Sequence, residues 1–357
     1  MTDAQDELLR LRTEIDAIDD QLLALINARA KLAQAVGHLK NGIIYKPERE
    51  AQVVARLQAA NPGPLPPESV AVVIREVMSA CRALEQRLTI AYLGPEGTFS
   101  EAAAIKHFGH AVNGLACASI DEVFRKVERG EAQYGVAPVE NSTEGGVTRT
   151  LDLLIETPLS LCGEVYVRVR QNLLRRVDSL DGIRVVYSHP QSLAQCQGWL
   201  RAHLPTADLA PVSSNAEAAR LASQADDAAA IAGERAAEHH NLVLAARDIE
   251  DVANNTTRFV VLSREATVPS GHDRTSLAIS ISNRPGALVE LLKPFANHGI
   301  NLISWNTRPA RNQQWEYVFM VDVEGHARDT AVQEALVELG GHATLVKVLG
   351  AYPRAQS

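Results

Sequence analysis

The stretch "DVANNTTRFVVLSR", Asp251 to Arg264, sets two asparagines, two threonines and an arginine against an apolar run. Residues 259–262 read as a buried strand, with the polar side chains at its mouth. Asn-Asn-Thr is ordinary turn chemistry, and every strand has to begin somewhere. Hydrogen-bonding side chains gathered round a ligand would read the same way. The neighbouring segments separate the two readings.

Upstream of this strand the chain alternates between strand and helix patterns. Ile90 to Leu93 is a strand, "GPEGTFSEAAAIKHFG" a glycine-rich turn into a helix, and "SIDEVFRKVERG" opens with a capping box, Ser119 and Glu122. Strand "YGVAPVE", loop "NSTEGG", helix "VTRTLDLLIE" and strand "LSLCGEVYV" follow. Further on come strand "IRVVYS", a single helix over "HPQSLAQCQGWLRAHL", and strands "AAAIAG" and "RFVVLS". This order predicts an α/β architecture with ligands held by loops at the carboxyl ends of strands. Three such loops are unusually polar: 94–100, 140–146 and 188–191. Bland readings exist for each, since Ser100 can cap a helix, "NSTEGG" can be a connection, and Pro190 suits a first helical turn. "GPEGT" is neither a dinucleotide fingerprint nor a P-loop, and no cluster has metal-ligand spacing. No metal and no cofactor are expected.

Taken together and in order, "LGPEGTFS", "VAPVENSTEGGV", "YSHPQSLAQC" and "NNTTRFVVL" resemble the prephenate dehydratase family across residues 89–266. The resemblance implies two lobes like a type II periplasmic-binding-protein fold. Residues 89–165 and 250–266 would form the first lobe and 166–249 the second, with the site in the cleft between them. It assigns the central role to Thr257, whose hydroxyl would donate a hydrogen bond to the departing ring hydroxyl of prephenate. Arg258 would position a carboxylate or brace the loop. Asn141, Ser142, Thr98, Ser188, His189 and Gln191 would be direct or supporting substrate partners.

The first ninety residues differ in period. Leu8, Leu11, Ile15, Ile18, Leu22, Leu25, Leu32, Val36 and Leu39 are spaced three and four apart, as in one long helix with a narrow seam. Such a rod is about 50 Å long and needs a second copy to cover it. Arg29 interrupts the seam, where a charge needs a carboxylate across the dimer or an anionic ligand. Lys40 lies three turns further on, Arg12 borders the seam, and a second helix opens with Glu48, Arg49 and Glu50. A third helix from Glu68 carries Val70, Ile74, Val77, Cys81, Leu84 and Leu88, with Glu85 at its edge.

"LLRLRTEIDAIDDQLLALINARAKLAQAVGHLK" followed by "YKPEREAQV" resembles the all-α chorismate mutase domain, an intertwined helical dimer. The resemblance covers nearly all of residues 7–87, within a domain expected to span 1–88, and places Arg29, Lys40, Arg49 and Glu50 in the site, with Arg12 reaching in from the other subunit. Lys46 stands where many members have an aspartate. Cys81 and Glu85 stand where a serine and a glutamine are common. Chorismate to prephenate is a pericyclic rearrangement, so the protein has only to hold a dianion folded and stabilise charge on the ether oxygen. Arginines clamp carboxylates bidentately, and Lys40 would supply a cation at the breaking bond.

Residues 273–357 read βαββαβ, the ferredoxin-like α+β order, with two strands paired around an "ARNQQ" turn. They resemble an ACT domain, which implies phenylalanine binding between paired domains. Gly286, Ala287, Leu288 and Val289 match its ligand loop, where a glycine lets backbone N–H groups approach a carboxylate. Its second motif, usually Glu-Ser-Arg-Pro, is Asn306-Thr307-Arg308-Pro309 here.

The 357 residues carry a formal charge of −8, which argues against a nucleic-acid partner. Anionic ligands are therefore expected to be held by a few placed arginines. The start lacks a signal-peptide core, no run suits a membrane span, and Cys81, Cys117, Cys162 and Cys196 are far apart. A cytoplasmic enzyme with reduced cysteines is expected.

The expected activity is chorismate to prephenate and then to phenylpyruvate, water and carbon dioxide, throttled by phenylalanine. The expected assembly is a homodimer, with a tetramer compatible. Two other readings remain open here: a dehydratase with a non-catalytic helical module, and a non-catalytic carboxylate or amino-acid sensor. Glu85 can donate to the ether oxygen only when protonated. Mutase activity is thus expected to rise as pH falls from about 8 to about 5, and a flat profile would exclude that role.

Overall fold

A computed structural model of the chain describes residues 2–39, 44–282, 284–309 and 317–355. Helices α1 (Thr2–Leu39), α2 (Pro47–Ala59) and α3 (Pro67–Ala83) follow in order. α1, α3 and residues 52–59 of α2 belong to one compact unit. Prolines at the first turns of α2 and α3 suit positions whose N–H would be unsatisfied anyway. The seam of α1 lies open in the single chain: Leu22 is 50% exposed, Leu25 67% and Leu32 69%.

The second unit begins with a βαβ pattern. β1 (Thr89–Leu93), α4 (Phe99–Phe108), β2 (Asn113–Cys117), α5 (Ile120–Glu128) and β3 (Tyr134–Asn141) set β1 parallel to both β2 and β3. The cap forms, with Ser119 Oγ accepting the Glu122 N–H at 3.2 Å, while the Glu122 carboxylate reaches one residue further back than a capping box and accepts the Ala118 N–H at 2.8 Å. A short β4 (Gly145–Gly146), α6 (Thr148–Glu156) and β5 (Ser160–Arg168) complete this part of the lobe.

The chain then builds a five-stranded sheet. Its elements are β6 (Asn172–Arg175), β7 (Val185–Ser188), α7 (Pro190–Gln195), α8 (Gln197–His203), β8 (Asp208–Pro211), α9 (Asn215–Ala222), β9 (Ala228–Ala232), α10 (Glu234–His240) and β10 (Val243–Ala246). The strand order is β10-β6-β9-β7-β8. The single helix expected over 189–204 is two, broken at Cys196 (φ −116, ψ 14). The Asp251 carboxylate makes the break tolerable by accepting the Gly198 and Trp199 N–H groups at 2.7 and 3.0 Å.

β11 (Thr256–Ser263) returns to the first sheet and inserts between β3 and β5, antiparallel to both. With neighbours on either edge, its Val260, Val261 and Leu262 are fully buried, hence the unbroken apolar run. β12 (Asp273–Ser280), α11 (Ala287–Asn297), β13 (Leu302–Pro309), β14 (Tyr317–Glu324), α12 (Thr330–Gly340) and β15 (Leu345–Pro353) follow in the expected βαββαβ order. The "ARNQQ" turn lies outside the described residues.

This last segment continues the first sheet, whose order is β13-β14-β12-β15-β5-β11-β3-β1-β2. β15 and β5 meet in parallel at one register pair, Gly350 with Leu161. A Cβ on Gly350 would stand 2.2 Å from the Leu161 carbonyl oxygen, so only glycine permits the approach. Gly350→Ala is expected to cost about 1–3 kcal/mol, the usual cost of overpacking, readable in thermal unfolding.

Candidate active site

Between the first lobe and the five-stranded lobe lies a cleft of about 850 Å3. Thr98, Asn141, His189, Gln191 and Thr257 all line it, so five of the side chains singled out in the sequence come together there. Thr257 and Phe259 project into it from β11, and Arg258 between them takes the other face, because strand side chains alternate.

Thr257 is 9% exposed, and its Oγ accepts a hydrogen bond from Asn141 Nδ2 at 2.8 Å. The Asn141 amide has only one sensible orientation. Its oxygen accepts the backbone N–H groups of Thr143 and Glu144 at 3.0 and 3.2 Å, so its nitrogen must face Thr257 and Asn255. A hydroxyl that accepts from an amide keeps its own hydrogen for another partner, and no acceptor for it stands among the described residues. Thr257 is held as a donor into the cleft.

Asn255 belongs to the same network. It is 4% exposed, and its Oδ1 accepts the second Asn141 Nδ2 hydrogen at 2.9 Å. Turn chemistry accounts for Asn254 alone, which has φ +73. Ser142 does not line the cleft. Its backbone and side chain tie the loop to Thr256, the N–H donating to the Thr256 carbonyl at 2.9 Å and the Oγ accepting the Thr256 N–H at 3.0 Å.

The other expected partners have specific duties. Thr98 donates to the Leu93 carbonyl at 3.0 Å and accepts the Glu101 N–H at 3.4 Å, which fastens the start of α4. His189 caps α7, its Nδ1 accepting the Gln191 N–H at 3.3 Å, so a neutral ring carries its proton on Nε2. Gln191 donates its amide to the Glu144 carboxylate of the opposite lobe. Ser188 is fully buried below the cleft floor, within bonding distance of Asn215 Oδ1 (2.9 Å) and the Ile231 carbonyl (2.8 Å).

A second link between the lobes is Glu101, which accepts the Gly97 N–H at 2.5 Å, His239 Nε2 at 3.0 Å and Arg235 Nη2 at 3.2 Å. Burial pushes its carboxyl up, but the Gly97 N–H and the hydrogen bonds from His239 and Arg235 hold it below the usual range.

Two expectations are overturned. Arg258 does not stand where it could position a substrate carboxylate: it is buried in a charge cluster on the far face of the sheet and does not line the cleft, and the loop residue it reaches is Glu140, 3.7 Å from its Nη1. Placed arginines were expected to hold anions, yet neither arginine nor lysine is among the described residues lining it. What faces the cleft instead is the positive end of three helices, through Thr98 before α4, His189 before α7 and Ser214 before α9. Asn215, Gln171 and Ser214 line the cleft without having been singled out. The Ser214-x-x-Glu217 spacing, a capping signal whose hydroxyl accepts the Glu217 N–H at 3.0 Å, was the legible clue for one of them.

In the helical part Arg12 and Arg29 are exposed on α1, and Cys81 is buried on α3. Glu85, exposed just past α3, lies against Gly37 of α1. Arg49 is exposed and Glu50 half-buried in the first turn of α2, and Lys40 lies outside the described residues. In the last segment Gly286 adopts φ +83 at the start of α11, with Ala287 buried and Leu288 and Val289 exposed. Asn306 and Thr307 lie on β13 and Pro309 ends it; Arg308 reaches Asp152 Oδ1 at 3.1 Å and Thr148 Oγ at 3.3 Å.

Comparison with known proteins fits this layout. Residues 11–86 match the chorismate mutase type II family, 90–267 the prephenate dehydratase family and 275–341 the ACT domain. A bifunctional chorismate mutase/prephenate dehydratase from Neisseria gonorrhoeae is 54% identical over 360 residues, covering 99% of both chains. The chain belongs to the bifunctional chorismate mutase/prephenate dehydratases. The Pseudomonas aeruginosa member is 47% identical, covering 98% of this chain and 99% of its own. Among solved structures, the prephenate dehydratase of Arthrobacter aurescens in complex with L-Phe is 36% identical with a TM-score of 0.68, covering 75% of this chain and 90% of that one.

In this bifunctional chain the Asn141 amide decides which way the Thr257 hydrogen points. Asn141→Asp substitutes an acceptor, which would draw that hydrogen back from the cleft. The dehydratase kcat is expected to fall about 10²–10³-fold with the mutase rate unchanged, as parallel assays would show.

Proposed function

We propose that residues 1–88 convert chorismate to prephenate, that the cleft of residues 89–266 converts prephenate to phenylpyruvate, water and carbon dioxide, and that phenylalanine acts on residues 273–357. The observation that carries the second step is the Thr257 hydroxyl, held as a donor inside the cleft by Asn141. Loss of carbon dioxide and of the ring hydroxyl restores aromaticity, so the reaction is downhill once the hydroxyl can leave. Thr257 donates to that oxygen as negative charge grows on it, in a site walled off by Phe99 and Phe259. The helix starts at Thr98, His189 and Ser214 supply positive potential for the two carboxylates without a mobile cation beside the leaving group. The lobe contacts Gln191–Glu144 and Glu101–His239 would hold the cleft closed during reaction.

The first step needs no proton transfer. Arg29, Arg49, Glu50 and Glu85, with Lys40 and with Arg12 of the partner subunit, are its proposed residues. The open seam of α1 supports a homodimer along that helix. Phenylalanine is the proposed regulator, supported by the ACT match and by the L-Phe complex of the Arthrobacter enzyme. Gly286–Val289 and Asn306–Pro309 are its proposed contacts, with Asn306 in place of the motif's carboxylate. Four free, buried cysteines support a reducing compartment, the cytoplasm; among the described residues no helix is long and apolar enough to cross a membrane.

Thr257→Ala tests the assignment with chorismate as the starting substrate. Prephenate is expected to accumulate, because the dehydratase rate drops about 10²–10³-fold while chorismate consumption persists. Equal loss of both rates, or neither, counts against it.

A further inference from the structure

Behind Thr257, on the side of the sheet away from the cleft, lie four buried charges. Two belong to the dehydratase strands, Arg258 on β11 and Glu164 on β5; two belong to the regulatory strands, Arg274 on β12 and Asp322 on β14. Arg258 Nη1 stands 2.5 Å from Asp322 Oδ2, and its Nε stands 3.1 Å from Glu164 Oε2. Arg274 Nη1 lies 2.7 Å from Glu164 Oε2 and 3.7 Å from Asp322 Oδ2. Hydroxyls complete the shell: Ser276 and Ser304 donate to Asp322 at 2.5 and 2.7 Å, and Arg258 Nη2 donates to Tyr352 Oη at 3.1 Å. The cluster is neutral in sum, and every charged member has a partner of opposite sign.

Such a cluster is poor evidence of stability, since desolvation offsets most of what the pairs gain. What it does supply is geometry. The dehydratase and regulatory strands of this one sheet meet at a single backbone register pair, Gly350 with Leu161, so ladder hydrogen bonds alone hold the two groups of strands weakly in register. The β11–β3 ladder also shifts between Arg258 and Phe259, leaving Val139 as an extra residue opposite that step. The β5 ladder runs unbroken past Thr257 and Arg258, so on the β3 side, where the register shifts, the Arg258 side chain adds a fixed point that the backbone there does not supply. Asp322 is the anchor with most partners, and its partner Arg258 is the next residue to Thr257.

The opposite half of the donor pair is anchored from the same sheet. Asn306 packs against Gly146, where a Cβ would stand 2.4 Å from its Nδ2, and Arg308 binds Asp152. Gly146 pairs with Glu140, the neighbour of Asn141, and Asp152 lies further on, in α6.

We infer that Asp322, a residue of the regulatory segment, is a positioning residue for the dehydratase reaction, acting through Arg258 on the backbone that aims Thr257. This rests on the reading of Thr257 as the donor. In it the regulatory segment is a structural member of the active site, and a shift of β14 is felt one peptide away from the reacting hydroxyl.

The test uses the full chain, with prephenate and chorismate assayed separately. Asp322→Asn keeps the shape and removes the charge. It is expected to lower the dehydratase kcat about ten- to a hundredfold, the scale of a misplacement near 1 Å, while KM for prephenate and the mutase rate stay within about threefold. Ser304→Ala removes one donor to Asp322 without uncovering a charge and is expected to lower kcat in the same way by about threefold, again with KM kept. If Asp322→Asn does not fold, Ser304→Ala decides by the same measurement. Wild-type kcat in a folded variant overturns the inference, as does a fall in kcat, mutase rate and thermal midpoint together. Loss in Thr257→Ala with wild-type rates in both anchoring variants sinks this inference alone. Intact dehydration in Thr257→Ala sinks the reading of Thr257 and the inference with it.

Discussion

A guanidinium taken out of water has to be answered by carboxylates at short range, and Arg258 imposes that constraint on the dehydratase and regulatory strands alike. Its two buried carboxylates come from different segments of the chain, Glu164 and Asp322, with the half-exposed Glu140 further off at 3.7 Å, and the second guanidinium, Arg274, closes the set. Burial pushes the Asp322 carboxyl up, but Arg258 and the Ser276 hydroxyl hold it below the usual range, so it stays charged beside its partner. β5, β11, β12, β13, β14 and β15 all contribute side chains to this one polar core.

On the other face of β11 the physics is different. The cleft lining contains no fixed cation among its described residues, although the proposed substrate is a dianion. Helix starts serve instead. Their partial charges are set by the backbone and cannot swing toward the leaving hydroxyl, whereas a lysine or arginine side chain could pair with it prematurely. A protein of net charge −8 can thus bind an anion locally without an attractive field over its whole surface.

Much of this was legible in the sequence, and the failures have identifiable causes. The three-four spacing from Leu8 to Leu39 predicted α1, and the βαββαβ order predicted the last segment. Thr257 was legible because an apolar strand and a polar mouth adjoin there. The carboxylate role suggested for Arg258 is not met, because adjacency in sequence suggests a shared site while a strand sends neighbours to opposite faces. Asn255 was taken for turn chemistry because burial is invisible in a dipeptide. Asn215 and Gln171 come from the second lobe, and only the folded chain brings them opposite Thr257. The expectation of arginines failed because macrodipoles leave no charged letter in a sequence.

The lone register pair at Gly350 and Leu161 has an evolutionary side. A regulatory domain tethered by a loose linker can be lost or exchanged by recombination with little damage to its enzyme. Here β15 covers the edge of β5, and removal of the segment would expose that edge as a template for aggregation. It would also strip Arg258 of Asp322. Descendants of this gene can retune the sensor by point substitution, but shedding it requires rebuilding the edge of the catalytic sheet at the same time.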